Sequence, residues 1–325
     1  MNVLFYCSSP LQMLSAVDFI NAKGLIEENN ILILKLGNPN RVNNFNQMLK
    51  LLSVNIHYFS EVNIVTSQSK LSVEYELIRI FLRKKKDIFD IVLCGDFRDY
   101  YSQLLYGLTT KRKILIDDGL ATPISAIKYY NNTSCLYKKK YNKLIYITYR
   151  LLGLKTENFA FSIFTAFPIP NRNMDVEINK PVVKNKRIND NVFFFGQKLS
   201  ESGFISLKSE VRAIYESKCR YKHKFYYIPH RDDSLEKINL LKDAGITIKS
   251  LGMPAEIYFN NQDIIPGTIS GFWTSALVTV GLKYNTLAID CFDIRPYLDV
   301  ADMSDINTAY QYYNELGLTI VEYHR

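Results

Sequence analysis

The stretch Lys113-Ile-Leu-Ile-Asp-Asp-Gly119 decides the fold class that the sequence predicts. Its apolar run follows basic residues and stops at two carboxylates and a glycine, which is typical of a buried parallel strand that delivers side chains to the carboxyl edge of its sheet. Ligands of open α/β sheets bind at that edge. Because successive side chains alternate across a strand, only one of Asp117 and Asp118 can face a ligand, while the other turns into its own domain.

Strands and helices alternate on both sides of this stretch. Upstream, strands are predicted over 2–6, 31–36, 54–59 and 88–93, and helices over 10–20, 41–52, 70–86 and about 100–108. Downstream, strands are predicted over 191–197, 224–230, 246–251, 263–270 and 287–291, the last of the chain, and helices over 204–219, 235–244, from 256, from 271 and over 304–316. This alternation predicts a doubly wound α/β fold.

The length of 325 residues favours two domains over one core. The periodicity lapses between residues 168 and 191, where proline, asparagine and charged residues dominate. The sequence therefore predicts domains over 1–180 and 181–325. The last predicted helix is a candidate to pack back on the first domain.

The cysteines favour a reducing compartment. They are odd in number, scattered and never in a Cys-x-x-Cys pair: Cys7, Cys94, Cys135, Cys219 and Cys291. The first residues carry no basic segment before their short apolar run, and no stretch reaches the length of a membrane span. We therefore expect a cytoplasmic protein, either soluble or held at the inner face of the cell membrane.

The formal net charge of +8 is concentrated in one segment. Residues 128–155 carry seven Lys and Arg residues and no Asp or Glu, and tyrosines and leucines lie between them. Such a segment can lie on an anionic bilayer as a peripheral contact, although a solvated helix face is an equal alternative. No recognised nucleic-acid motif accompanies it, so nucleic acid is not expected as a partner.

The first predicted helix begins at a polar turn that can bind a ligand. Ser9 is in the N-cap position, Pro10 is at the first helical position, and Gln12 follows in the first turn. A strand that leads directly into a capped helix leaves backbone N–H groups for an anion or for sugar hydroxyls. Asp96, at another predicted strand end, is a rival to the Asp117–Asp118 pair for any role that needs a carboxylate.

Dinucleotide and triphosphate binding are disfavoured because the sequence has no Gly-x-Gly-x-x-Gly fingerprint and no phosphate loop. No Asp-x-Asp element lies at a predicted strand end, and the His and Cys residues lack the spacing of metal ligands. The sequence therefore favours chemistry without a metal or a cofactor.

Four residues of the second domain are candidates for binding a phosphorylated sugar. His230 follows a predicted buried strand and can donate a proton or face a phosphate, although a lone His at a strand end is more often structural. Glu256 can cap its helix or bind the two hydroxyls of a ribose. Thr274 and Ser275 follow a strand at a helix start, where their hydroxyls suit a phosphate monoester or simple capping.

Together these residues resemble the bacterial sialyltransferases, most closely those of glycosyltransferase family 52, which act on lipooligosaccharide and capsule. The resemblance rests on an acidic-acidic-Gly element (117–119), a His-Pro element (229–230) and a Ser/Thr pair (274–275), in family order over nearly the whole chain. The residues 8–12 and 195–197 are also family-like. The family usually has Pro after the His, whereas here Pro229 precedes His230 and Arg231 follows it.

The resemblance implies a GT-B fold, in which two Rossmann-like domains face each other across a cleft. It implies that the second domain binds the donor CMP-sialic acid and the first binds a galactose-terminated acceptor. In that scheme Asp118 is the base, with Asp117 as the fallback, and His230 stabilises the departing phosphate with the hydroxyls of Thr274 and Ser275. The other expected binding residues are Ser9, Gln12, Gly119, Gly196, Gln197, Arg231, Glu256 for the ribose, and Ser270 as a rival hydroxyl.

The expected function is therefore metal-independent, inverting transfer of sialic acid to a bacterial surface glycan. Two alternatives stay open: transfer of another CMP-linked acid of the Kdo type, which the same residues would serve, and a non-catalytic glycan-binding protein with the same fold. The linkage, 2,3 or 2,6, and the choice between monomer and homodimer are not predicted.

Overall fold

The computed structural model describes residues 1–37, 42–66, 70–96, 102, 105–106, 110–129, 151, 161–169 and 174–323. The chain divides into two compact units, Met1–Lys180 and Pro181–Arg325. Each unit is built on its own parallel β-sheet.

The first unit contains a seven-stranded sheet with the strand order β3-β2-β1-β4-β5-β6-β7. Its elements are β1 (Asn2–Cys7), α1 (Pro10–Lys23), β2 (Asn29–Gly37), α2 (Val42–Asn55), β3 (Glu61–Thr66), α3 (Lys70–Lys84), β4 (Phe89–Cys94), β5 (Thr110–Leu115), α4 (Ala121–Tyr129), β6 (Ser162–Thr165) and β7 (Val176–Ile178). All the neighbouring strands pair in parallel. The order reverses between β1 and β4, so the topological switch point of this sheet lies at the carboxyl ends of these two strands.

The second unit repeats this topology with six parallel strands in the order β10-β9-β8-β11-β12-β13. Its elements are β8 (Arg187–Phe195), α5 (Leu207–Cys219), β9 (Phe225–Ile228), α6 (Leu235–Asp243), β10 (Thr247–Ile248), α7 (Ala255–Asn261), β11 (Ile264–Gly271), α8 (Ser275–Gly281), β12 (Ala288–Phe292), α9 (Ser304–Glu315) and β13 (Thr319–Val321). Here the switch point lies between β8 and β11.

Burial on both faces explains why the central strands read as continuous apolar runs. Residues Val3 to Cys7 of β1 and Val192 to Phe195 of β8 are all buried. In the second unit Phe194 packs against Phe272 with ring centroids 5.1 Å apart and lies beside Tyr227 of the neighbouring strand. Covered sheets of this kind leave only the strand ends open to a ligand.

The predicted start of the first helix is confirmed. Ser9 is the N-cap of α1, its hydroxyl accepts a hydrogen bond from the backbone N–H of Gln12, and Pro10 is the first helical residue. The turn after β1 is therefore fixed by local sequence alone.

The prediction of a strand over 54–59 is wrong. Helix α2 continues to Asn55, a 3₁₀ turn covers Ile56–Tyr58, and the strand is β3, from Glu61 to Thr66. The apolar residues that suggested a strand, Val54 and Ile56, are 66% and 51% exposed. The sequence 287–291 is also not the last strand, because β13 follows α9. Three elements that the sequence pattern did not predict, α4, β6 and β7, complete the first unit.

Helix α9 packs within its own unit through tyrosines. The hydroxyl of Tyr310 donates to the carbonyl of Phe292 at 2.7 Å, and that of Tyr313 donates to the carbonyl of Thr274 at 2.6 Å. The second contact ties α9 to the turn that precedes α8.

Two predictions fall mainly on residues outside those described: the helix at about 100–108 and the basic segment 128–155. Within the part of the chain that the structure describes, no helix combines the length and the apolar character that a membrane crossing requires.

Candidate functional site

Polar residues follow three neighbouring strands of the first sheet. Ser8 and Ser9 follow β1, Asp96 follows β4, and Asp117 and Asp118 follow β5 by one residue. Because parallel strands end at the same edge, these groups lie at the carboxyl edge of this sheet, at and beside its switch point.

Asp117 faces the interior of its own domain. Its side chain is 5% exposed and accepts hydrogen bonds from the Thr165 hydroxyl and from the Ala166 backbone N–H, the latter at 2.8 Å. Burial raises the pKa of Asp117 to about 7, although both hydrogen bonds oppose the shift. Asp117 therefore connects the end of β5 to the end of β6.

Asp118 is only half-buried, and its carboxylate is oriented by the first helix. The hydroxyl of Ser9 donates to Asp118 Oδ1 at 2.9 Å, while the backbone N–H of Asp118 donates to the Thr122 hydroxyl at 2.8 Å. Of the two adjacent carboxylates, Asp118 is the one that a ligand at this edge can reach. A partly exposed carboxylate held by a neutral donor is suited to accept a proton.

Gly119 makes the turn between β5 and α4. Its φ of +63° lies in the left-handed region that glycine adopts without steric cost. Its carbonyl accepts a hydrogen bond from the backbone N–H of Thr122 at 3.1 Å. Gly119 therefore allows the chain to bend directly after Asp118.

Gln12 supports the loop after β1 and is 2% exposed. Its Oε1 accepts a hydrogen bond from the backbone N–H of Ser8 at 2.6 Å. A Cβ on Gly95 would lie 2.2 Å from Gln12 Cγ, so only glycine fits at the end of β4 beside this side chain. Gln12 therefore fixes the backbone at the switch point. Ser9, in the same loop, contacts Asp118.

The second sheet also carries polar residues at its carboxyl edge. Gly196 and Gln197 follow β8, His230 and Arg231 follow β9, Glu256 is in the first turn of α7 after β10, and Thr274 and Ser275 follow β11. The four loops belong to four neighbouring strands, in the order β10-β9-β8-β11. The topology therefore brings these predicted residues to one edge.

His230 is held as a neutral imidazole with a defined tautomer. Burial lowers its pKa to about 4, and the positive charge of Arg231 contributes to the shift. Its Nδ1 accepts a hydrogen bond from the backbone N–H of Asp232 at 3.1 Å. The proton of the neutral ring is therefore on Nε2, which can donate to an oxyanion.

Gly196 and Gln197 begin the segment that joins β8 to the turn at residues 199–203, and we call this segment the Gln197 turn. A Cβ on Gly196 would lie 2.2 Å from the hydroxyl oxygen of Tyr227, so a larger residue would displace the turn. The Oε1 atom of Gln197 is buried and has no hydrogen-bond partner among the described residues. It is an acceptor that a bound ligand can satisfy.

Glu256 contacts the helix that follows Thr274 and Ser275. Its Oε1 accepts a hydrogen bond from the Thr279 hydroxyl of α8 at 2.6 Å. Thr274 is the N-cap of α8, but its side chain makes no capping hydrogen bond, so capping does not account for its hydroxyl. Glu256, Thr274 and Ser275 are all half-buried. A side-chain hydrogen bond thus joins the helix that carries the carboxylate to the helix whose start carries the hydroxyls.

Ser270 is separated from these groups because it lies within β11 and its side chain is 0% exposed. Arg231 is half-buried beside His230. Within the described ranges, no group of three His, Cys, Asp or Glu residues is arranged to hold a metal ion.

The buried charges that support the His230 loop were not predicted from the sequence. Lys237, with Glu201, Glu210 and Asp233, forms a cluster that we call the Lys237 cluster; Lys237 and Glu210 are fully buried and the Asp233 side chain is 1% exposed. The (i, i+4) spacing of Asp233 and Lys237 was a visible signal of an ion pair. Its burial, and the two glutamates from other segments, were not visible in the sequence.

No protein-family model matches the chain, and the search of curated proteins found no match. Solved structures of similar fold include a 2,6-sialyltransferase from a Photobacterium species in complex with CMP and lactose, which is 11% identical, covers 99% of this chain and 78% of its own, and has a TM-score of 0.53. The α-2,3-sialyltransferase of Photobacterium phosphoreum is 10% identical over 98% of both chains, with a TM-score of 0.50.

A putative UDP-N-acetylglucosamine 2-epimerase from Listeria monocytogenes has the same fold, with 9% identity, coverage of 98% of this chain and 88% of its own, and a TM-score of 0.51. The predicted fold class, GT-B with two Rossmann-like domains, is confirmed. A transferase and an epimerase share this fold, so the fold does not determine the reaction. The reaction has to be inferred from the residues at the two sheet edges.

Proposed function

We propose that this chain is a metal-independent, inverting sialyltransferase that moves sialic acid from CMP-sialic acid to a terminal galactose of a bacterial surface glycan, capsule or lipooligosaccharide. The observation that carries the proposal is the contrast between Asp117, which is 5% exposed, and Asp118, which is half-buried and oriented by Ser9. This contrast supports Asp118, rather than Asp117, as the base.

The second domain has the groups that a CMP leaving group requires. As the bond from the anomeric carbon to the phosphate oxygen breaks, CMP takes the electron pair and its phosphate gains negative charge. The Nε2–H of His230 can donate to that phosphate, and the arriving negative charge favours a protonated ring. Arg231 and the hydroxyls of Thr274 and Ser275 add positive charge and further donors.

The nucleoside can be recognised by the remaining residues of this edge. Glu256 would bind the ribose hydroxyls through the carboxylate oxygen that Thr279 does not occupy. The buried Oε1 of Gln197 would accept a hydrogen bond from the cytosine amino group, and Gly196 would let the base approach the backbone. Ser270 has no role in this scheme because its side chain is fully buried.

Asp118 would act on the acceptor. It removes the proton from the attacking galactose hydroxyl while an oxocarbenium-like transition state forms, and the oxygen bonds to the anomeric carbon from the face opposite CMP. A single displacement of this kind inverts the anomeric centre. Ser9 would hold the carboxylate in position, Gln12 would hold the Ser9 loop, and Gly119 would keep the following turn away from the sugar.

Two of the solved structures with this fold are sialyltransferases, and one was solved with CMP and lactose, which supports this donor and acceptor class. Because these two enzymes are named for different linkages, no linkage is proposed. We further propose that the protein acts at the cytoplasmic face of the cell membrane, with residues 128–155 as the peripheral contact. The proposed reaction is also compatible with a homodimer.

The test is calorimetric titration of the purified protein with CMP in EDTA, followed by a turnover assay with CMP-sialic acid and lactose. We expect micromolar binding and formation of sialyl-lactose. Absence of CMP binding would refute the proposed donor. Binding of CMP without turnover of any CMP-linked acid would favour the glycan-binding alternative, and turnover only with CMP-Kdo would favour the Kdo-type transferase.

A further inference from the structure

Lys237 is the most deeply buried cation of the second unit's carboxyl edge. Its ammonium donates to Asp233 Oδ1 at 2.9 Å and contacts Glu210 Oε1 at 2.6 Å and Glu201 Oε2 at 3.4 Å. It also donates to the backbone carbonyl of Gln197 at 2.6 Å. One lysine thus contacts three carboxylates and the turn that follows β8.

The same cluster holds the loop that follows β9. Asp233 accepts a hydrogen bond from Lys237 on Oδ1, and on Oδ2 it accepts the backbone N–H of His230 at 2.9 Å and the Tyr227 hydroxyl at 2.8 Å. Two covalently distant loops, one ending in Gln197 and the other bearing His230, therefore have Lys237 and Asp233 as their common support.

The ammonium of Lys237 keeps its positive charge. Burial alone would lower the pKa of Lys237, but Glu210 and Asp233 outweigh it and raise the pKa above its usual value. Lys237 therefore stays charged at neutral pH. Burial of a charged cluster is costly, and apolar residues of similar volume are often at least as stabilising, so stability alone does not account for it.

We propose that Lys237 is a positioning residue for the donor site: it fixes the Gln197 turn and the His230 loop in the arrangement that binds the nucleotide phosphate. This inference rests on the proposed function, and it adds a residue that touches neither CMP nor the sugar. The ammonium acts through its contacts with Gln197 and Asp233. Displacement of the His230 ring by about 1 Å is sufficient to cost up to about a hundredfold in a reaction that depends on alignment.

The chain provides a matched control in Lys186. This lysine, just before β8, donates to the backbone carbonyls of Phe259 at 2.9 Å, Asn260 at 2.7 Å and Gln262. It anchors backbone in the same unit, but at the amino end of β8 rather than at the carboxyl edge. Its acceptors lie at the C-terminal end of α7, whereas Glu256 is in the first turn of that helix. Lys186→Met therefore removes a structural contact without touching the Gln197 turn or the His230 loop.

The experiment compares wild type, Lys186→Met, Lys237→Met and the double variant Lys237→Met/Glu210→Gln. The double variant removes one cation and one anion together, so it stays testable if the single variant leaves too much buried charge to fold. Its new glutamine side chain can still accept the backbone N–H of Ser200, which in wild type donates to Glu210 at 2.9 Å. Circular dichroism and thermal unfolding identify the folded variants.

We expect the Lys237 variants to bind CMP about ten- to a hundredfold more weakly, with a matching rise in KM for CMP-sialic acid, and Lys186→Met to stay within about twofold of wild type. Hydrogen exchange of the backbone N–H of His230 gives a second readout that needs no ligand. Nuclear magnetic resonance after selective nitrogen-15 labelling of the four histidines follows it, with His230→Asn to assign the signal. Faster exchange in the Lys237 variants reports a displaced loop, because this N–H donates to Asp233 in wild type. The pKa of His230 does not separate a displaced loop from a lost charge, because the charge of Lys237 itself lowers it.

If the folded Lys237 variants keep wild-type CMP affinity and wild-type exchange of the His230 N–H, the positioning role is refuted. If Lys186→Met loses as much CMP affinity as they do, the effect is general destabilisation and the proposal is equally refuted. If wild type itself binds no CMP, the proposed function fails, and the exchange of the His230 N–H alone then decides whether Lys237 positions the loop.

Discussion

At the carboxyl edge of the first sheet the reachable group after β5 is a carboxylate, whereas at the same edge of the second sheet the groups after β9 are an imidazole and a guanidinium. The four central strands have the same order in both sheets. The fold therefore presents the same kind of edge twice, and the side chains give the two edges opposite chemical character.

The two edges also differ in how they are supported. Asp118 is held by the Ser9 hydroxyl, a neutral donor at a helix N-cap. His230 belongs to a loop that rests on the buried Lys237 cluster. In the proposed reaction Asp118 changes its protonation state, which a neutral donor permits. The proposed phosphate would bring a large change in charge to the His230 loop, and buried ion pairs resist displacement of that loop.

Asp118→Asn should reduce transfer most, because it removes the carboxylate at the edge of the first sheet. Asn keeps an acceptor for Ser9 but cannot take the proton, so transfer should fall by about a thousandfold or more. The affinity for CMP should not change, because the residue belongs to the first domain. Steady-state turnover and CMP titration measure both. Near-normal turnover would show that Asp118 is not the base.

His230→Asn removes the imidazole at the edge of the second sheet, and it should have the second greatest effect on transfer. Asn can still accept the backbone N–H of Asp232 near the position of Nδ1, while the Nε2–H is lost. We expect both CMP affinity and turnover to fall by about a hundredfold, since donor binding and leaving-group stabilisation share this group.

The same variant tests the protonation argument. Because burial lowers the pKa of His230 to about 4, the free ring is neutral at pH 7, and a bound phosphate should draw a proton onto it. Calorimetry in buffers of different ionisation enthalpy should detect proton uptake by wild type and less by His230→Asn. Equal uptake by the two proteins would rule out the ring as the site.

Ser9→Ala removes the neutral donor and leaves the carboxylate of Asp118 in place. It should lower the free energy of unfolding by about 1 kcal/mol, as for other N-caps, and turnover by several-fold because Asp118 loses its orientation. Ser206 offers the control: it caps α5 by accepting the backbone N–H of Ser209 at 3.1 Å. Ser206→Ala should cost similar stability and no turnover. Equal turnover losses in both variants would mean that Ser9 only stabilises the helix.

Local chemistry explains which parts of this fold the sequence could predict. Ser9 and Pro10 defined a helix start by themselves, and strands buried on both faces appeared as apolar runs. The strand at 54–59 was predicted wrongly because the apolar residues Val54 and Ile56 are mostly exposed and alternation alone does not separate a surface helix end from a strand. Strand β13, three residues long, carries too little pattern to predict.

The placement of the candidate residues was predictable where it depends on the end of a strand, as for Asp118 and His230. It was not predictable where a role depends on tertiary contacts. Nothing in the sequence separates Ser270, which is fully buried, from Thr274, which is half-buried. Nor does it show that Glu201 and Glu210 meet one lysine, because such contacts join segments that only folding brings together.

Asp117→Asn should have the least effect on transfer. This variant distinguishes the roles of the two adjacent carboxylates. Asn can accept the Ala166 N–H on Oδ1 and donate to the Thr165 hydroxyl, so the domain should fold. Turnover should stay within about tenfold of wild type, because this side chain faces its own domain. A loss as large as that of Asp118→Asn would transfer the role of base to Asp117.

The pH dependence of stability gives the sharper signature of this variant. Burial raises the pKa of Asp117 from 3.8 to about 7, so between these values the folded state holds a proton that the unfolded state has released. Stability contributed by this group is therefore complete below pH ~4 and declines as the pH rises towards ~7, at about 1.4 kcal/mol per pH unit at most. The asparagine side chain of the variant cannot ionise. Urea unfolding at several pH values should therefore show that the free energy of unfolding of the variant rises relative to that of wild type between pH ~4 and pH ~7. Parallel pH profiles for the two proteins would show that Asp117 keeps an ordinary pKa, and its burial would then have to be compensated by contacts stronger than those of Thr165 and Ala166.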